Sequence, residues 1–505
     1  MKRLFAIFLC LCLMLSFAGC NQNPSPRPTG GGLDESLQTQ PTKPQEEQLL
    51  PASLVYDPKD SMNPLQSKGY VNRVLFSLIY QGLFTVDANY EARPMLCRSY
   101  NLSADLKTYT FYLEQAFFSD GSAVTAEDVV ASLNAALISP WYGGRLQHVK
   151  SISSYGDAVV VELNTAMAQF PLLLDIPILK ADQVSAEEPI GSGPYRLSEG
   201  QLKRQAAWWC DAQVPIDNDT IGLVAYESAA QIRDAFEFQG VSLVCTDPTG
   251  TDRVDYHSDY ELWSCENGLF LYMAVNEKSK IFADDALRQA LTHAIDRDSL
   301  ISRYYWGFAQ AASLPASPAS PWYNAFLAEK YSHAPDAFQQ AVETAGCTGA
   351  EVKLLLNAAD QTRLKVGKSI AKMLEEGGLK VTIVEATTET FQTLLKKGDY
   401  DLYLAQTRLP RNMDISAFFG KDTSLNYGGL ADPSAYAISL EALSDPANFY
   451  TLHELVMEGG WLCPILFQSS ALYVQRGSLT NFAPARDTIF YYHLNRTLQD
   501  ALNAQ

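Results

Sequence analysis

A strand–helix–strand unit in the second half of the chain constrains the fold more than any other feature. It reads as the apolar strand "VKLLLN" (352–357), a helix over 361–376, the pair Gly377-Gly378 and a second strand, "KVTIVEA" (380–386). A strand, a helix ended by glycine and another strand are typical of a crossover between parallel strands. The sequence therefore predicts an α/β lobe here.

Two further segments extend this lobe toward the N-terminus. "LFLYMAVN" (269–276) is continuously apolar, as in a strand that is covered on both faces of its sheet. The following stretch, 284–305, has apolar residues at helical spacing, which predicts a helix.

The length of 505 residues exceeds what one ordinary hydrophobic core organises, which predicts two or more lobes. The composition, 47% hydrophobic and 19% charged, is that of a globular protein. The formal charge of −19 repels nucleic-acid phosphates and anionic membrane surfaces. We therefore expect no nucleic acid partner and no electrostatic adsorption to a membrane.

The N-terminus carries the pattern of an export signal. Two positive residues, 2–3, precede an apolar run of fourteen, 4–17, which is shorter than the about twenty residues that a membrane span needs. The ending Phe17-Ala18-Gly19-Cys20 resembles a bacterial lipobox, where the cysteine is lipidated. This predicts a lipoprotein signal peptide at 1–19 and a lipid on Cys20, with a plain secretory signal as the alternative.

Residues 20–50 are rich in Pro, Gly, Gln and Thr and nearly free of large apolar side chains. Such a segment cannot bury enough surface to offset its ordering entropy, which predicts a disordered linker. Six cysteines follow it without a CxxC pair, so we expect no metal site. Export permits disulfides, and the spacing leaves disulfides and free thiols equally open.

The stretch "FFSDGSAVTAEDVVASL" (117–133) predicts a turn followed by a helix. Thr125 suits the N-cap, and Asp128 stands at the third helical position, as in a capping box. These residues account for a structural unit without any chemistry.

This stretch is one of several that occur together in a fixed order. The others are "LIYQGLF", "GSGPYRL", "IAKMLEEGGLKVTI" and "LLKKGDYDLYL". In order and spacing, they resemble the extracytoplasmic solute-binding proteins of ABC importers, in the family that takes up oligopeptides, dipeptides and nickel chelates. The resemblance runs from about residue 63 to residue 475.

The resemblance implies an α/β fold in a bilobal, periplasmic-binding-protein-like clamp: two α/β lobes with a hinge, plus an extra α+β subdomain. The implied parts are lobe I at 51–75, 186–265 and 471–505, the subdomain at 76–185, and lobe II at 266–470. It also implies a monomeric receptor without a cofactor, anchored by lipid at the outer face of the bacterial membrane or on its periplasmic side. The receptor would close around a small solute or peptide and pass it to ABC permease subunits.

In this family the ligand-recognising segment follows the strand matched by "YDLYLAQT". Arg408 stands where relatives have tryptophan, Arg411 where peptide binders place the aspartate that pairs with the α-ammonium, and Asp414 matches a later aspartate. A guanidinium disfavours an ammonium group and suits a carboxylate or phosphate. We therefore hypothesise a ligand with an anionic group. The alternative is that the arginines face solvent or pair with Asp414.

Four weaker candidates follow from the same resemblance. Asn63 and Tyr70 come after the first strand, where relatives place cleft residues, and Asn426 and Tyr427 lie on a later loop. Each could instead be a surface or packing residue.

Other classes of function remain as alternatives. We find no GxSxG, Walker-type or HExxH motif, so we predict that the chain is not an enzyme and place a secreted hydrolase last. The six histidines form no HxH pair, but a receptor for a nickel chelate stays open because relatives bind it with few protein ligands. A lipid-anchored peptide sensor without transport would use the same clamp.

Overall fold

The computed structural model describes residues 52–210, 212–250, 254–430 and 432–504. The predicted signal peptide (1–19), Cys20 and the predicted linker (20–50) lie outside these ranges. Within the described ranges, every helix falls short of the length and apolarity that a membrane span requires.

The described ranges contain a mixture of strands and helices. The strands are β1 (Ser53–Tyr56), β2 (Phe84–Val86), β3 (Ala92–Pro94), β4 (Cys97–Leu102), β5 (Thr108–Leu113), β6 (Val149–Tyr155), β7 (Ala158–Leu163), β8 (Tyr195–Ser198), β9 (Gln201–Arg204), β10 (Thr220–Ala225), β11 (Leu243–Thr246), β12 (Tyr260–Val275), β13 (Ala309–Ala311), β14 (Glu351–Asn357), β15 (Lys380–Ala386), β16 (Leu402–Arg408) and β17 (Leu462–Gln475). The α-helices are α1 (Arg73–Ile79), α2 (Ala126–Ala136), α3 (Ala229–Glu237), α4 (Asp285–Ala290), α5 (Arg297–Leu300), α6 (Ala325–Glu329), α7 (Pro335–Thr344), α8 (Gln361–Glu376), α9 (Thr388–Lys397), α10 (Ser416–Phe419), α11 (Pro433–Ser444), α12 (Asn448–Gly459) and α13 (Leu498–Asn503).

The largest sheet runs in the order β15-β14-β16-β12-β17-β11-β1-β10-β9-β8, and β13 pairs with β17 beside this path. β14 is parallel to β15 and β16, and β1 is parallel to β10 and β11. Helix α8 links β14 to β15 and ends at Gly377, so the predicted parallel crossover is confirmed. We call the part that carries β1 and β8–β11 lobe I and the part that carries β13–β16 lobe II.

Two long antiparallel strands, β12 and β17, join the lobes. Their register shifts between Glu266 and Phe270, where Gly268 has a φ of +75°. Before this shift Cys265 packs into the core of lobe I, and after it Leu271 packs into a core of lobe II. The bulge is therefore where the sheet passes from one lobe to the other. The predicted lobe boundaries, 265/266 and 470/471, fall inside these two strands.

Residues 76–185, predicted as an extra subdomain, carry sheets of their own. Four strands pair in the order β4-β5-β7-β6, and β2 pairs with β3. The interior of these sheets is nevertheless continuous with lobe I, because Phe111 and Val161 belong to the same buried cluster as Leu54 and Ile221. The segment and lobe I therefore share one hydrophobic core.

The predicted capping box at the start of α2 is present. Thr125 Oγ1 accepts the N–H of Asp128, and Asp128 Oδ2 accepts the N–H of Thr125 at 2.8 Å. Asp128 Oδ1 also accepts the N–H of Ala181 at 2.7 Å. The cap thus fixes both the helix start and the chain that passes beside it.

The helix predicted over 284–305 is wrong as a single element. It is divided into α4, a 3-10 turn at Leu291–Ala294, α5 and a short π-helix at Ile301–Tyr305. Ile295 is extended, and Asp296 caps α5 by accepting the N–H of Ser299 at 3.0 Å. Apolar spacing continues across this break, because the segments still face one core.

Candidate functional site

A cavity of about 470 Å³ lies where the two lobes meet. It is lined by Val55, Lys68, Tyr70, Val71, Val74, Trp141, Tyr226, Ala229, Ile232, Leu243, Val244, Cys245, Thr246, Asp247, Pro248, Gly250, Val254, Tyr256, Asn267, Leu269, Arg408, Ser470 and Tyr473. Lobe I supplies most of the wall from β1, β11 and α1, and lobe II supplies the end of β16. This volume is in the range of small-molecule sites in proteins.

Arg408 is the only arginine among the described residues that line the cavity. It is the last residue of β16 and pairs with Leu269 of β12, which places its side chain at the junction of the lobes. Its Cζ lies 4.1 Å from the ring centroid of Trp141, and Nη1 donates to the carbonyl oxygen of Asn267. Burial lowers the pKa of Arg408 to about 10 against the opposing effect of Asp487. The guanidinium therefore stays charged at neutral pH.

Arg408 belongs to a group of largely buried charged residues that we call the junction cluster. It consists of five arginines and three acids: Arg73, Arg145, Arg408, Arg411, Arg486, Asp175, Glu266 and Asp487. Buried charges are stable only when they are paired or hydrogen-bonded, so the pairing within this cluster determines what the site can accept.

Asp487 is the centre of the junction cluster. Its Oδ2 lies 2.6 Å from Arg145 Nη2 and 3.6 Å from Arg486 Nε, and its Oδ1 lies 3.4 Å from Arg408 Nη1. Burial favours the neutral acid, but Arg145, followed by the other arginines, outweighs it and holds the pKa of Asp487 well below its usual range. Asp487 is thus ionised and links lobe I to Arg408 of lobe II.

The other two acids occupy the flanks of the cluster. Asp175 Oδ1 lies 2.5 Å from Arg145 Nη1, and its Oδ2 lies 3.3 Å from Arg411 Nε. Glu266 Oε1 lies 3.7 Å from Arg486 Nη1, and its Oε2 accepts the hydroxyl of Tyr90 at 2.7 Å. Arg145 therefore bridges two acids, while Arg486 lies between Glu266 and Asp487.

Arg73 has no acid at ion-pair distance within the described ranges. Its Nη2 donates to the carbonyl oxygen of Ser67 at 2.8 Å, and its Cζ lies 3.7 Å from the centroid of Trp141. Trp141 therefore has two guanidinium groups close to its ring, Arg73 from lobe I and Arg408 from lobe II. Burial lowers the pKa of Arg73, and Tyr142 and Asp487 oppose the shift.

The three residues of the predicted recognition segment have separate environments. Arg411 is 1% exposed and faces Asp175, so it does not line the cavity. Asp414 accepts hydrogen bonds from Gln147 Nε2 at 2.7 Å and pairs with His148 Nε2 at 2.8 Å. Among the described ion pairs, Arg411 faces Asp175 and Arg408 faces Asp487, and the side chain of Arg408 keeps 21% of its surface exposed.

Of the weaker candidates, Tyr70 lines the cavity together with Arg408. Asn63 is buried, and its Nδ2 donates to two carbonyl oxygens of the chain around residue 185. Asn426 Nδ2 donates to the carbonyl oxygen of Gly420, and Tyr427 packs against a core of lobe II. The structure thus brings two of the seven candidates to one cavity, and ligand contact by any of them stays a prediction.

Several residues of the site carried no recognisable signal in the sequence. Arg145 and Asp487 are 342 positions apart, and Trp141 and Arg145 lie in an irregular segment that ends in a 3-10 turn at Gly143–Leu146. Only the density of aromatic and basic residues in "WYGGR" distinguishes this segment, and that pattern is common on surfaces.

Cysteines and metals add little to this site. Cys97, Cys245, Cys265, Cys347 and Cys463 are free thiols. Cys245 lies in the cavity wall, and burial raises the pKa of its thiol. In the part of the chain that the structure covers, no three His, Cys, Asp or Glu side chains are grouped as a metal would need.

Comparisons with known proteins relate this architecture to one family. The model of "Bacterial extracellular solute-binding proteins, family 5 Middle" matches residues 91–423. The chain is 25% identical to the oligopeptide-binding protein AppA of Bacillus subtilis over 51% of this chain and 52% of AppA. It is 22% identical to the glutathione-binding protein GsiB of Escherichia coli K12 over 64% of this chain and 67% of GsiB.

The fold comparison covers more of the molecule. The substrate-binding protein CtaP of Listeria monocytogenes superposes with a TM-score of 0.70 at 20% identity, over 88% of this chain and 100% of CtaP. This likeness confirms the predicted α/β, bilobal, periplasmic-binding-protein-like fold. In sequence, by contrast, the chain spans about half the length of AppA.

Proposed function

Because the chain belongs to family 5 of the bacterial extracellular solute-binding proteins, we propose that it captures a small solute between its lobes and delivers it to an ABC importer. The observation that supports this function is the cavity of about 470 Å³, whose wall comes from both lobes. The lobes are joined through β12 and β17, and hinge closure around a ligand is a common motion of such two-lobed proteins.

We propose that the solute is oligopeptide-like or carries an anionic group and is released unchanged. AppA is named as an oligopeptide-binding protein and GsiB as a glutathione-binding protein, which supports a small peptide or a related acid. The cavity suits a molecule of about this size, and its only guanidinium among the described lining residues is Arg408. The proposed partners are the solute and ABC permease subunits, with the receptor as a monomer.

Mass spectrometry of the purified chain tests the proposed function. We expect denaturation to release one small compound at close to one equivalent per protein chain. The released compound should be chemically identical to the same compound in the growth medium. The variant Val71→Trp fills the cavity and should release little of it, whereas Ile138→Trp, at a position 88% exposed, should release as much as the wild type. Absence of any bound compound, or recovery of a chemically converted one, would contradict the proposal.

We also propose that the receptor is held outside the membrane by a lipid on Cys20, with residues 20–50 as its tether. Labelling of growing cells with a radioactive fatty acid should mark the wild-type chain and leave Cys20→Ser unlabelled and shed from the membrane fraction. Cys347→Ser, at a free thiol of lobe II, is the matched control and should stay labelled. Equal labelling of Cys20→Ser and the wild type would exclude this anchor.

A further inference from the structure

We propose that the solute is an apolar carboxylic acid whose carboxylate binds to Arg408 while its apolar part fills the rest of the cavity. This inference rests on the proposed function, because it names the class of solute for the same site. It follows from an imbalance of charge, from unused hydrogen-bond donors and from the nature of the cavity wall.

The junction cluster has an excess of positive charge. Its five guanidiniums face three carboxylates, which leaves two positive charges uncompensated. Asp414 follows Arg411 by three positions in the sequence, but its carboxylate already pairs with His148 and accepts a hydrogen bond from Gln147. Uncompensated buried charge is costly, so an anion that enters the site gains more here than it would at the surface. A cationic group next to Arg408 is disfavoured for the same reason.

Several guanidinium atoms of the cluster are buried without a hydrogen-bond acceptor. These atoms are Arg73 Nε, Arg411 Nε and Nη2, and Arg486 Nε and Nη1. Only Arg408, among the described arginines of the cluster, reaches the cavity, with 21% of its side chain exposed. An incoming anion can therefore contact Arg408 directly and act on the other four through space.

Arg408 lines the cavity and uses only Nη1 in its described hydrogen bonds. The hydrogen bond to Asn267 and the ion pair with Asp487 both use Nη1, and no described group accepts a hydrogen bond from Nε or Nη2. Contact with the Trp141 ring limits where the guanidinium can lie. A flat fork with two adjacent free donors matches the two oxygens of a carboxylate.

The remainder of the wall is chiefly apolar. Away from Arg408 it includes Val55, Val74, Ile232, Leu243, Tyr256 and Tyr473. Two other charged residues, Lys68 and Asp247, also line the cavity, and both are exposed to solvent. Asp247 Oδ1 already accepts hydrogen bonds from Gln468 Nε2 and from Thr249. The body of the solute is therefore apolar, with its acid group at the arginine end.

A matched pair of probes tests this inference by calorimetry. N-acetyl-leucyl-leucine has a carboxylate and an apolar body, and its C-terminal amide has the same shape without the charge. We expect the wild type to bind the acid about tenfold to a hundredfold more tightly than the amide, as a hydrogen-bonded charge pair provides. Arg408→Gln should lose this preference, whereas Arg196→Gln, at an exposed arginine of β8, should keep it.

The possible results separate the two proposals. Equal binding of acid and amide by the wild type, failure of both to bind, or an undiminished preference in Arg408→Gln overturns the inference. Unchanged melting curves of Arg408→Gln and Arg196→Gln establish that both variants are folded. Recovery of a neutral or cationic native compound from the purified chain also overturns it while leaving the proposed receptor function intact. Recovery of an apolar acid supports both.

Discussion

Replacing Asp487 by asparagine is expected to lower the free energy of unfolding by about 3–5 kcal/mol, which is typical for breaking a buried ion pair. The substitution keeps the shape of the side chain but removes the negative charge at the centre of the junction cluster. Arg145 and Arg486 would keep Asp175 and Glu266, but Arg408 would lose its only described carboxylate and the three arginines would lose the acid that they share. Unfolding in urea, which adds no ionic strength, measures the loss.

Asp217→Asn is the control for this change. Asp217 is 69% exposed and lies 3.3 Å from Arg204, so its removal should cost no more than about 1 kcal/mol. A loss of similar size in Asp487→Asn would show that the cluster contributes little to stability.

The pH dependence of stability gives an independent test of the same residue. The folded state holds the pKa of Asp487 below its unfolded value of about 3.9. Such a group contributes stability above the unfolded pKa, and this stability is lost as the pH falls through the folded pKa. The difference in the free energy of unfolding between the wild type and Asp487→Asn should therefore become smaller as the pH is lowered from about 5 to about 3. A constant difference would contradict the role assigned to the carboxylate.

Gly191→Ala should destabilise the chain by about 3 kcal/mol, as expected for overpacking against a rigid neighbour. A Cβ at Gly191 would lie 2.0 Å from the carbonyl oxygen of Ile79 at the end of α1. Two hydrogen bonds hold the loop at 191–193 in place against α1. Gly191 O accepts the N–H of Ser119 at 2.9 Å, and Gly193 N donates to Ile79 O at 2.9 Å. Thermal or urea unfolding measures the effect.

Gly144→Ala provides the matched comparison for Gly191→Ala. A Cβ at Gly144 would have nothing within 4 Å, and its φ is not positive. Alanine should be neutral or slightly stabilising there, since it restricts the unfolded chain. If both variants unfold alike, the close approach of the loop to α1 is not what requires glycine at 191.

Local features of the sequence were sufficient to predict parts of the fold. The crossover through α8 was predictable because strand, helix and glycine stop follow one another within 36 residues, from Glu351 to Ala386. The cap at Thr125 was predictable because both of its partners lie within one turn of the chain. The break at Ile295 was not, because apolar spacing continues through it and only the surrounding core selects an extended residue there.

The candidate site was predictable only in part. Arg408 was identified because the segment before it, "YDLYLAQT", has a recognisable family counterpart, and the structure places Arg408 in the cavity wall. Arg411, three residues further on, is turned into the protein toward Asp175. The acids that decide the local charge come from distant parts of the chain, so no window of sequence shows them beside the arginines.

The place of β17 in the sheet also bears on how the chain is made. β17 follows all the other strands in chain order, yet it lies between β11 and β12. While the ribosome is still synthesising the preceding residues, both of those strands present unpaired edges, and the sheet cannot be completed. The sheet that joins the two lobes can therefore be completed only after β17, Leu462–Gln475, has been synthesised.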